Sequence, residues 1–334
     1  MVFKSNGKFL LTGEYLVLKG ATALALPLKK GQSLDVETLD SNEGLIYWDA
    51  FYKSTANGQQ SMVNGQQTMV NGQQPTANSQ THWFSAVLDK SDFSVKNTDD
   101  KEKAERLSDI LSKAKDLNGN IFTESHDFRF RTHLDFDPQW GLGSSSTLIN
   151  NIAEWAEINP YKLLDQTFKG SGYDIACAKS NHPIFFKVMT DDPQAISQNI
   201  EKANFNPAFK DNLYFVYHGH KQNSAREIKA FLNKENNFEK EIKSISEISR
   251  ILPDIQTLRD FCYFIKIHEE ITAKCLEQKR LKKYFNDFEG EIKSLGAWGG
   301  DFFLVATEWD EQKVKKYFDS KDLNIVFKYN DIVL

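Results

Sequence analysis

The sequence has few cysteines, no long hydrophobic run and no excess of basic residues. Its three cysteines, Cys177, Cys262 and Cys275, match no spacing typical of a metal site, so we expect reduced thiols in a cytoplasmic protein. No apolar run approaches the ~20 residues of a membrane-spanning helix, and the first residues do not match a signal peptide. We therefore expect neither a membrane partner nor an export signal.

The charge balance is slightly acidic, with 41 lysines and arginines, 46 aspartates and glutamates, and a formal net charge of -5. This balance gives no electrostatic reason to expect a nucleic-acid partner. An acidic protein still binds anionic small molecules, because helix ends and a few cations decide the local field. At 334 residues the chain is long enough for two domains with buried cores. The sequence is compatible with a monomer or a homodimer.

A run of glycines and hydroxyl-bearing residues is the most informative feature of the sequence. It reads Gly141-Leu142-Gly143-Ser144-Ser145-Ser146-Thr147, after a strand-like segment at 128–136 and before a helix-compatible segment at 148–158. Small residues let the backbone approach a ligand, and a helix start offers unpaired N–H groups to an anion. The hydroxyls add donors for phosphate oxygens and ligands for Mg²⁺. The run therefore predicts a phosphate-binding loop other than the P-loop, with a simple helix cap as the alternative.

Two further glycine-bearing motifs occur, one near each end of the sequence. The first is Gly7-Lys8-Phe9-Leu10-Leu11-Thr12-Gly13-Glu14-Tyr15-Leu16-Val17-Leu18-Lys19-Gly20, and the other is Lys293-Ser294-Leu295-Gly296-Ala297-Trp298-Gly299-Gly300-Asp301-Phe302-Phe303-Leu304. In this order, with 141–147 between them, they resemble the motifs of the GHMP kinase superfamily, which includes galactokinase, homoserine kinase, mevalonate kinase and phosphomevalonate kinase. The resemblance covers nearly the whole chain, with Asn6 where the family has proline and with Trp298 and Asp301 interrupting the third motif.

The resemblance implies a two-domain α+β fold, the GHMP kinase fold. Residues 1–200 would form an S5-like α/β domain that binds ATP, and residues 201–334 would form a ferredoxin-like α+β domain. The sequence pattern near the end agrees with this expectation. Strand-like segments and one helical segment follow each other there as in a split βαβ unit, at 291–296, 301–307, 310–319 and 323–329.

A low-complexity insertion lies within residues 53–82. Asn-Gly-Gln-Gln recurs there every seven residues, starting at Asn57, Asn64 and Asn71. Asn-Gly opposes a continuous helix, so we expect a solvated loop or a protruding hairpin rather than a coiled coil, with no catalytic role. The charged residues that follow, 84–117, are predicted as helix from the spacing of apolar residues among them.

The resemblance also implies roles for individual residues. Asp174 stands where many members carry the catalytic aspartate, and Lys8 would keep that carboxylate ionised and stabilise the transferred phosphoryl group. Ser145 is the best candidate for a hydroxyl near Mg²⁺, and Asp165 is the nearest second ligand, with a surface carboxylate as the alternative. The remaining predicted site residues are Gly141, Leu142, Gly143, Ser144, Ser145 and Ser146 for the ATP phosphates, Glu14, Tyr15, Ser171, Gly172, Ser224 and Arg226 for the substrate, and Gly296, Gly299 and Gly300 for support of the phosphate loop.

The activity implied by the resemblance is transfer of the ATP γ-phosphoryl group to a small metabolite, with ATP and Mg²⁺ as cofactors. Tyr15 after Gly-Glu, and the segment Gly170-Ser171-Gly172-Tyr173-Asp174, resemble phosphomevalonate kinases. Phosphomevalonate is therefore the first choice of acceptor and mevalonate the second. Two alternatives stay open: mevalonate diphosphate decarboxylase, a lyase of the same superfamily, and a non-catalytic metabolite-binding protein on the same scaffold.

Overall fold

The structure, a computed structural model, describes residues 1–53, 80–123, 125–189, 197–219, 224–234, 236–296, 298 and 300–334. The seven-residue repeat lies outside these ranges except at its last residue, so its loop or hairpin form stays a prediction. None of the helices in the described ranges combines the length and the hydropathy of a bilayer-spanning segment.

Contacts between residues divide the chain into two compact units that alternate along the sequence. The first unit contains Met1–Ser5, Lys30–Pro138 and Ser144–Phe168, and the second contains Asn6–Lys29, Gln139–Gly143 and Lys169–Leu334. This division by contacts differs from the predicted domain boundary after residue 200, which stays a prediction. The two strands that run through both units are β1 (Val2–Thr12) and β2 (Ala23–Leu39).

The first unit is a sheet with helices packed on its apolar residues. Within it the second half of β2 pairs antiparallel with β6 (Asp127–Leu134), and β6 pairs parallel with β3 (Leu45–Lys53). Strand β4 (Gln80–Asp89) pairs antiparallel with both β3 and β5 (Val95–Thr98). Buried and half-buried side chains alternate along β6, and Phe130 on the buried face packs against Trp48 and Trp155. The elements of this unit are β3 (Leu45–Lys53), β4 (Gln80–Asp89), β5 (Val95–Thr98), α1 (Lys101–Leu117), β6 (Asp127–Leu134), α2 (Ser144–Trp155) and α3 (Pro160–Gln166).

The predicted helix over 84–117 is correct only in its second half. Residues 101–117 form α1, which is capped by the Asp100 carboxylate accepting from the backbone N–H of Lys103. Residues 80–89 and 95–98 form strands instead. The buried positions Phe84, Ala86 and Leu88 alternate with half-buried ones, which is the two-residue period of a strand. The half-buried Trp83 and Val87 are also apolar, so the sequence does not show this alternation clearly.

The second unit contains a four-stranded antiparallel sheet with the strand order β10 (Glu291–Ser294), β11 (Phe302–Ala306), β9 (Leu213–Tyr217) and β12 (Val326–Lys328). Its chain order is strand, helices, two strands, helix, strand, which is the order expected for the predicted ferredoxin-like arrangement. The first half of β2 also lies in this unit and pairs with β7, which pairs with β8. The elements are α4 (Tyr173–Lys179), β7 (Ile184–Met189), β8 (Ser197–Lys202), β9 (Leu213–Tyr217), α5 (Ser224–Leu232), α6 (Glu239–Ile251), α7 (Leu258–Leu276), β10 (Glu291–Ser294), β11 (Phe302–Ala306), α8 (Glu311–Asp319), β12 (Val326–Lys328) and α9 (Tyr329–Ile332).

Aromatic residues fill one core of the second unit. Phe318 on α8 is fully buried, and its ring centroid lies 5.5 Å from that of Phe303 on β11 and 5.4 Å from that of Phe288. These side chains hold α8 on the sheet, because apolar burial is the main favourable term of such packing.

Replacing Phe318 with alanine should therefore lower the free energy of unfolding by about 3–5 kcal/mol, since it removes the ring and leaves a cavity. Urea unfolding curves would measure the loss. Tyr284, which is 68% exposed, offers the matched control, because Tyr284→Ala removes a ring of similar size from the surface. Equal unfolding midpoints for the two variants would contradict this description of the core.

Candidate active site

Lys8 connects the first motif to the start of the phosphate-binding motif, within the second unit. Its backbone N–H donates to the carbonyl of Leu142 at 3.0 Å, and its Nζ donates to the carbonyl of Gly141 at 3.0 Å. One residue of β1 therefore holds two successive carbonyls of the segment Gln139–Gly143. The same segment is anchored by Trp140, a buried side chain whose ring packs against Phe302 and Phe327.

Tyr173 and Asp174 begin α4 and lie beside Lys8. The helix starts after Gly172, which has a φ of 86°. The half-buried Asp174 carboxylate accepts from the backbone N–H of Ile175 at 3.0 Å. The Lys8 ammonium lies 5.8 Å from the centre of the Tyr173 ring. The structure thus brings together the two residues predicted to be catalytic, Lys8 and Asp174.

The electrostatic surroundings keep Lys8 charged. Burial opposes the ammonium, but the interactions with Tyr173, Asp301 and Asp174 outweigh it and raise the pKa of Lys8 above its usual value. Burial also raises the pKa of Tyr173 to about 12, so this phenol is neutral near pH 7. The negative charges that favour the Lys8 ammonium at neutral pH are therefore those of Asp301 and Asp174. A fixed cation in this position suits neutralisation of a transferred phosphoryl group.

The serines of the central motif belong to a helix rather than to a loop. The helix α2 begins at Ser144, directly after Gly143 with a φ of 102°, and so four residues before the predicted helical segment. Ser145 is exposed in the first turn and Ser146 is buried. Because the first four N–H groups of a helix lack intrahelical acceptors, this turn offers donors suited to an anion.

The aromatic residue of the third motif, Trp298, packs in an apolar cluster and does not cover the candidate site. Trp298 is 3% exposed and belongs to an apolar cluster with Tyr15 and Phe231. Its backbone N–H donates to the Tyr15 hydroxyl at 3.2 Å. Gly296 has a φ of 64°, Gly300 is buried, and Gly299 lies outside the described residues, so the loop-support role of these glycines stays a prediction.

Glu14 and Tyr15 were predicted to contact substrate, and the structure shows both side chains buried. Glu14 is 1% exposed and Tyr15 is 6% exposed. Glu14 forms an ion pair with Lys293 on β10, and its second carboxylate oxygen lies 3.4 Å from Nε2 of His268. In this conformation their partners are protein groups of the first and third motifs and α7, and contact with substrate stays a prediction.

Sequence reasoning missed the partners of Glu14. Lys293, His268 and Glu269 are all fully buried, and Lys293 Nζ lies 3.6 Å from Oε1 of Glu269. The available signal was the position of His268 and Glu269 on α7, since they continue the helical spacing of the buried residues Ile265 and Thr272. Polar residues on a buried helical face indicate a paired charge cluster.

Burial controls protonation in this cluster. It raises the pKa of Glu14 despite Lys293, and it raises the pKa of Glu269 to about 8. It also lowers the pKa of His268 well below its usual value, with Lys293 acting in the same direction. His268 is therefore neutral, and its Nε2 accepts from the backbone N–H of Gly13 at 3.0 Å.

The other predicted residues have the following places. Ser171 is buried at 9% exposure and accepts from the Tyr173 N–H at 3.5 Å, next to Gly172. Ser224 and Arg226 lie in the first turn of α5, and their side chains are outside the described part of the structure. Asp165 is exposed on α3 in the first unit. Within the described ranges, no group of three or more His, Cys, Asp or Glu side chains is placed to hold a metal ion.

Comparison with known proteins finds likeness in structure and not in sequence. No protein-family model matches the sequence, and no curated protein matches it. Methanococcus jannaschii mevalonate kinase has a TM-score of 0.66 at 17% identity, covering 98% of this chain and 96% of that one. Streptococcus pneumoniae phosphomevalonate kinase, solved with phosphomevalonate and AMPPNP, has a TM-score of 0.65 at 14% identity, covering 98% and 99%. Lactococcus lactis galactokinase, solved with galactose, has a TM-score of 0.55 at 9% identity, covering 98% and 92%.

The buried cluster predicts a pH effect on stability. Because the pKa of Glu269 is raised from 4.5 to about 8, the native state holds a proton that the unfolded state releases between these values. Its contribution is fully present below the unfolded pKa and is lost as the pH rises through the native pKa. Glu269→Gln keeps the neutral form at every pH, so the stability of this variant relative to the unmodified protein should increase from about pH 5 to pH 9.

Urea unfolding at several pH values would measure this difference. Glu270→Gln is the matched control, because Glu270 is the next residue on α7 and is exposed. His268 is present in the unmodified protein and in both variants, so the effect of its titration on stability cancels in the comparison. A stability difference between Glu269→Gln and the unmodified protein that stays constant over this pH range would contradict the assignment.

Proposed function

We propose that this chain, which has the GHMP kinase fold, is an ATP-dependent phosphotransferase acting on a small metabolite. The observation that carries the proposal is the position of Lys8, whose ammonium contacts the Gly141 carbonyl and faces the carboxylates of Asp174 and Asp301. A cation held beside a glycine-rich segment and near a carboxylate suits the charge neutralisation and alignment on which phosphoryl transfer depends.

In the proposed reaction, the bond between the γ-phosphorus of ATP and its bridging oxygen breaks, and a bond to the acceptor oxygen forms. Backbone N–H groups of Gly141, Leu142 and Gly143, with Ser144, Ser145 and Ser146, would bind the phosphates. Lys8 would stabilise the charge on the transferred group, and catalysis would consist mainly of this neutralisation and of alignment.

Mg²⁺ would supply additional charge neutralisation when it is bound with ATP. This ion usually binds through substrate phosphates and only one or two protein oxygens, so a preformed cage of protein ligands is not required. The exposed hydroxyl of Ser145 in the first turn of α2 fits such a role, and the exposed carboxylate of Asp165 is the second proposed ligand.

Phosphomevalonate is the preferred acceptor, and mevalonate is the second. The preference rests on Tyr15 and on the segment around Asp174, which resemble phosphomevalonate kinases, and on the fold shared with the Streptococcus pneumoniae phosphomevalonate kinase. A phosphorylated acceptor presents an anionic oxygen, so Asp174 would orient it, whereas with mevalonate Asp174 would accept the proton of the attacking hydroxyl.

The direct test is ATP turnover in the presence of Mg²⁺ with mevalonate, phosphomevalonate, mevalonate diphosphate, galactose and homoserine, with products identified by mass. We expect phosphomevalonate to gain one phosphoryl group. Transfer to another of these acceptors would correct the acceptor and keep the reaction class. Release of carbon dioxide from mevalonate diphosphate would replace kinase activity with decarboxylation, and ATP binding without turnover of any acceptor would contradict the proposal.

Asp174→Asn should lower turnover by roughly a hundredfold or more, since a neutral amide cannot accept a proton and orients the acceptor less well. ATP affinity should change little, because Asp174 is assigned to the acceptor. Steady-state kinetics and a nucleotide-binding titration would separate the two effects. Asp109→Asn, which changes an exposed carboxylate on α1, is the control and should leave turnover unchanged. Unchanged turnover in Asp174→Asn would remove Asp174 from the mechanism.

A further inference from the structure

Asp301 has an unusual backbone conformation for a residue with a side chain. Its φ is 48°, in the left-handed region, and it directly follows the glycines of the third motif. A non-glycine residue in this region has an energetic cost, although aspartate tolerates it better than most residues. Such strain persists only where the surrounding structure holds it, so the contacts of Asp301 are informative.

The Asp301 carboxylate lies against the backbone of Gly141. A Cβ built on Gly141 would be 2.7 Å from Oδ1 of Asp301 and closer still to Oδ2 and Cγ. Gly141 itself has a φ of 67°, so both its conformation and its neighbour require glycine. The aspartate of the third motif therefore occupies the space that any side chain at the first residue of the phosphate-binding motif would need.

Asp301 and Lys8 both lie against the backbone of Gly141, Lys8 from β1 and Asp301 from the third motif. Lys8 Nζ donates to the Gly141 carbonyl, while the Asp301 carboxylate packs beside the Gly141 Cα and raises the pKa of Lys8. The other titratable groups that face Lys8 are on α4: Asp174 and Tyr173, together with the buried thiol of Cys177. Asp301 is thus the charged group that reaches Lys8 from the third motif.

We propose that Asp301 is a positioning residue through which the third motif holds the Lys8 ammonium and the Gly141 carbonyl in place for phosphoryl transfer. This inference rests on the proposed function and adds a residue to it. The third motif would then support the phosphate-binding motif through a carboxylate, in addition to the support predicted for its glycines. The competing explanation is purely structural, since the backbone carbonyl of Asp301 also accepts from the N–H of His218 at 2.7 Å.

Asp301→Asn separates these explanations, because it keeps the size of the side chain and the backbone hydrogen bond while removing the charge. Asp322→Asn is the matched control: Asp322 has a φ of 62°, also left-handed, and is exposed. The first readout is the titration of Lys8, followed by NMR in protein carrying ¹³Cε-labelled lysine. Lys8→Arg identifies the resonance by its loss.

In Asp301→Asn the titration midpoint of Lys8 should fall by about one pH unit, because a carboxylate that favours the ammonium has been removed. In Asp322→Asn it should stay unchanged. An unchanged Lys8 midpoint in a folded Asp301→Asn protein, shown folded by its circular dichroism and its melting temperature, would overturn the proposal.

The second readout is steady-state kinetics with the acceptor found for the unmodified enzyme. Asp301→Asn should lower kcat roughly tenfold or more, with a smaller change in the KM for ATP, because Lys8 acts on the transferred group. Equal kcat values for the Asp301 and Asp322 variants would also overturn the proposal. If the unmodified protein transfers phosphate to no acceptor, the proposed function fails, and the Lys8 titration still decides whether Asp301 controls this ammonium.

Discussion

The candidate site depends on keeping one ammonium, that of Lys8, charged while it is partly withdrawn from water. Removing a charge from water is costly, and the cost is offset only by hydrogen bonds and opposite charges. The Gly141 carbonyl supplies the hydrogen bond, and Asp174 and Asp301 supply the charges. In agreement with this requirement, Gly141 lacks a side chain where the Asp301 carboxylate approaches, and Asp301 is held in a left-handed conformation.

Besides the interaction of Lys8 with Asp301, a second contact joins the first and third motifs within the second unit. It is the buried ion pair of Glu14 and Lys293. A buried ion pair contributes little net stability, because desolvation offsets the attraction, whereas removing one partner leaves an uncompensated charge. The pair therefore favours one arrangement of the two motifs over others. The neutral His268 accepts from the Gly13 N–H and holds the same turn, where a Cβ on Gly13 would lie 2.7 Å from that of Ala23.

The sequence could predict the order of strands and helices near the end of the chain and the closeness of Lys8 to Asp174, because these follow from sequence patterns and from a family resemblance. It could not predict that Asp301 lies against Gly141, since the contact joins residues 160 positions apart in the chain and depends on backbone torsions. Glu14 was assigned to substrate because its motif faces ligands, and the structure shows it in a charge cluster whose other members are on α7 and β10. The two-residue period of the strand at 84–88 was not evident in the sequence, because the half-buried Trp83 and Val87 are apolar like the buried residues beside them.

The most direct test of this account measures the transfer step itself, in a single turnover of bound ATP with the acceptor, for the unmodified enzyme, Lys8→Arg and Lys8→Met. The account predicts that Lys8→Met slows transfer of the γ-phosphoryl group roughly a thousandfold while ATP affinity changes only a few-fold, because the cation acts mainly on charge that develops during transfer. Lys8→Arg should keep part of the rate. An unchanged transfer rate in Lys8→Met would show that the Lys8 ammonium, and the carboxylates arranged around it, do not form the phosphoryl-transfer centre.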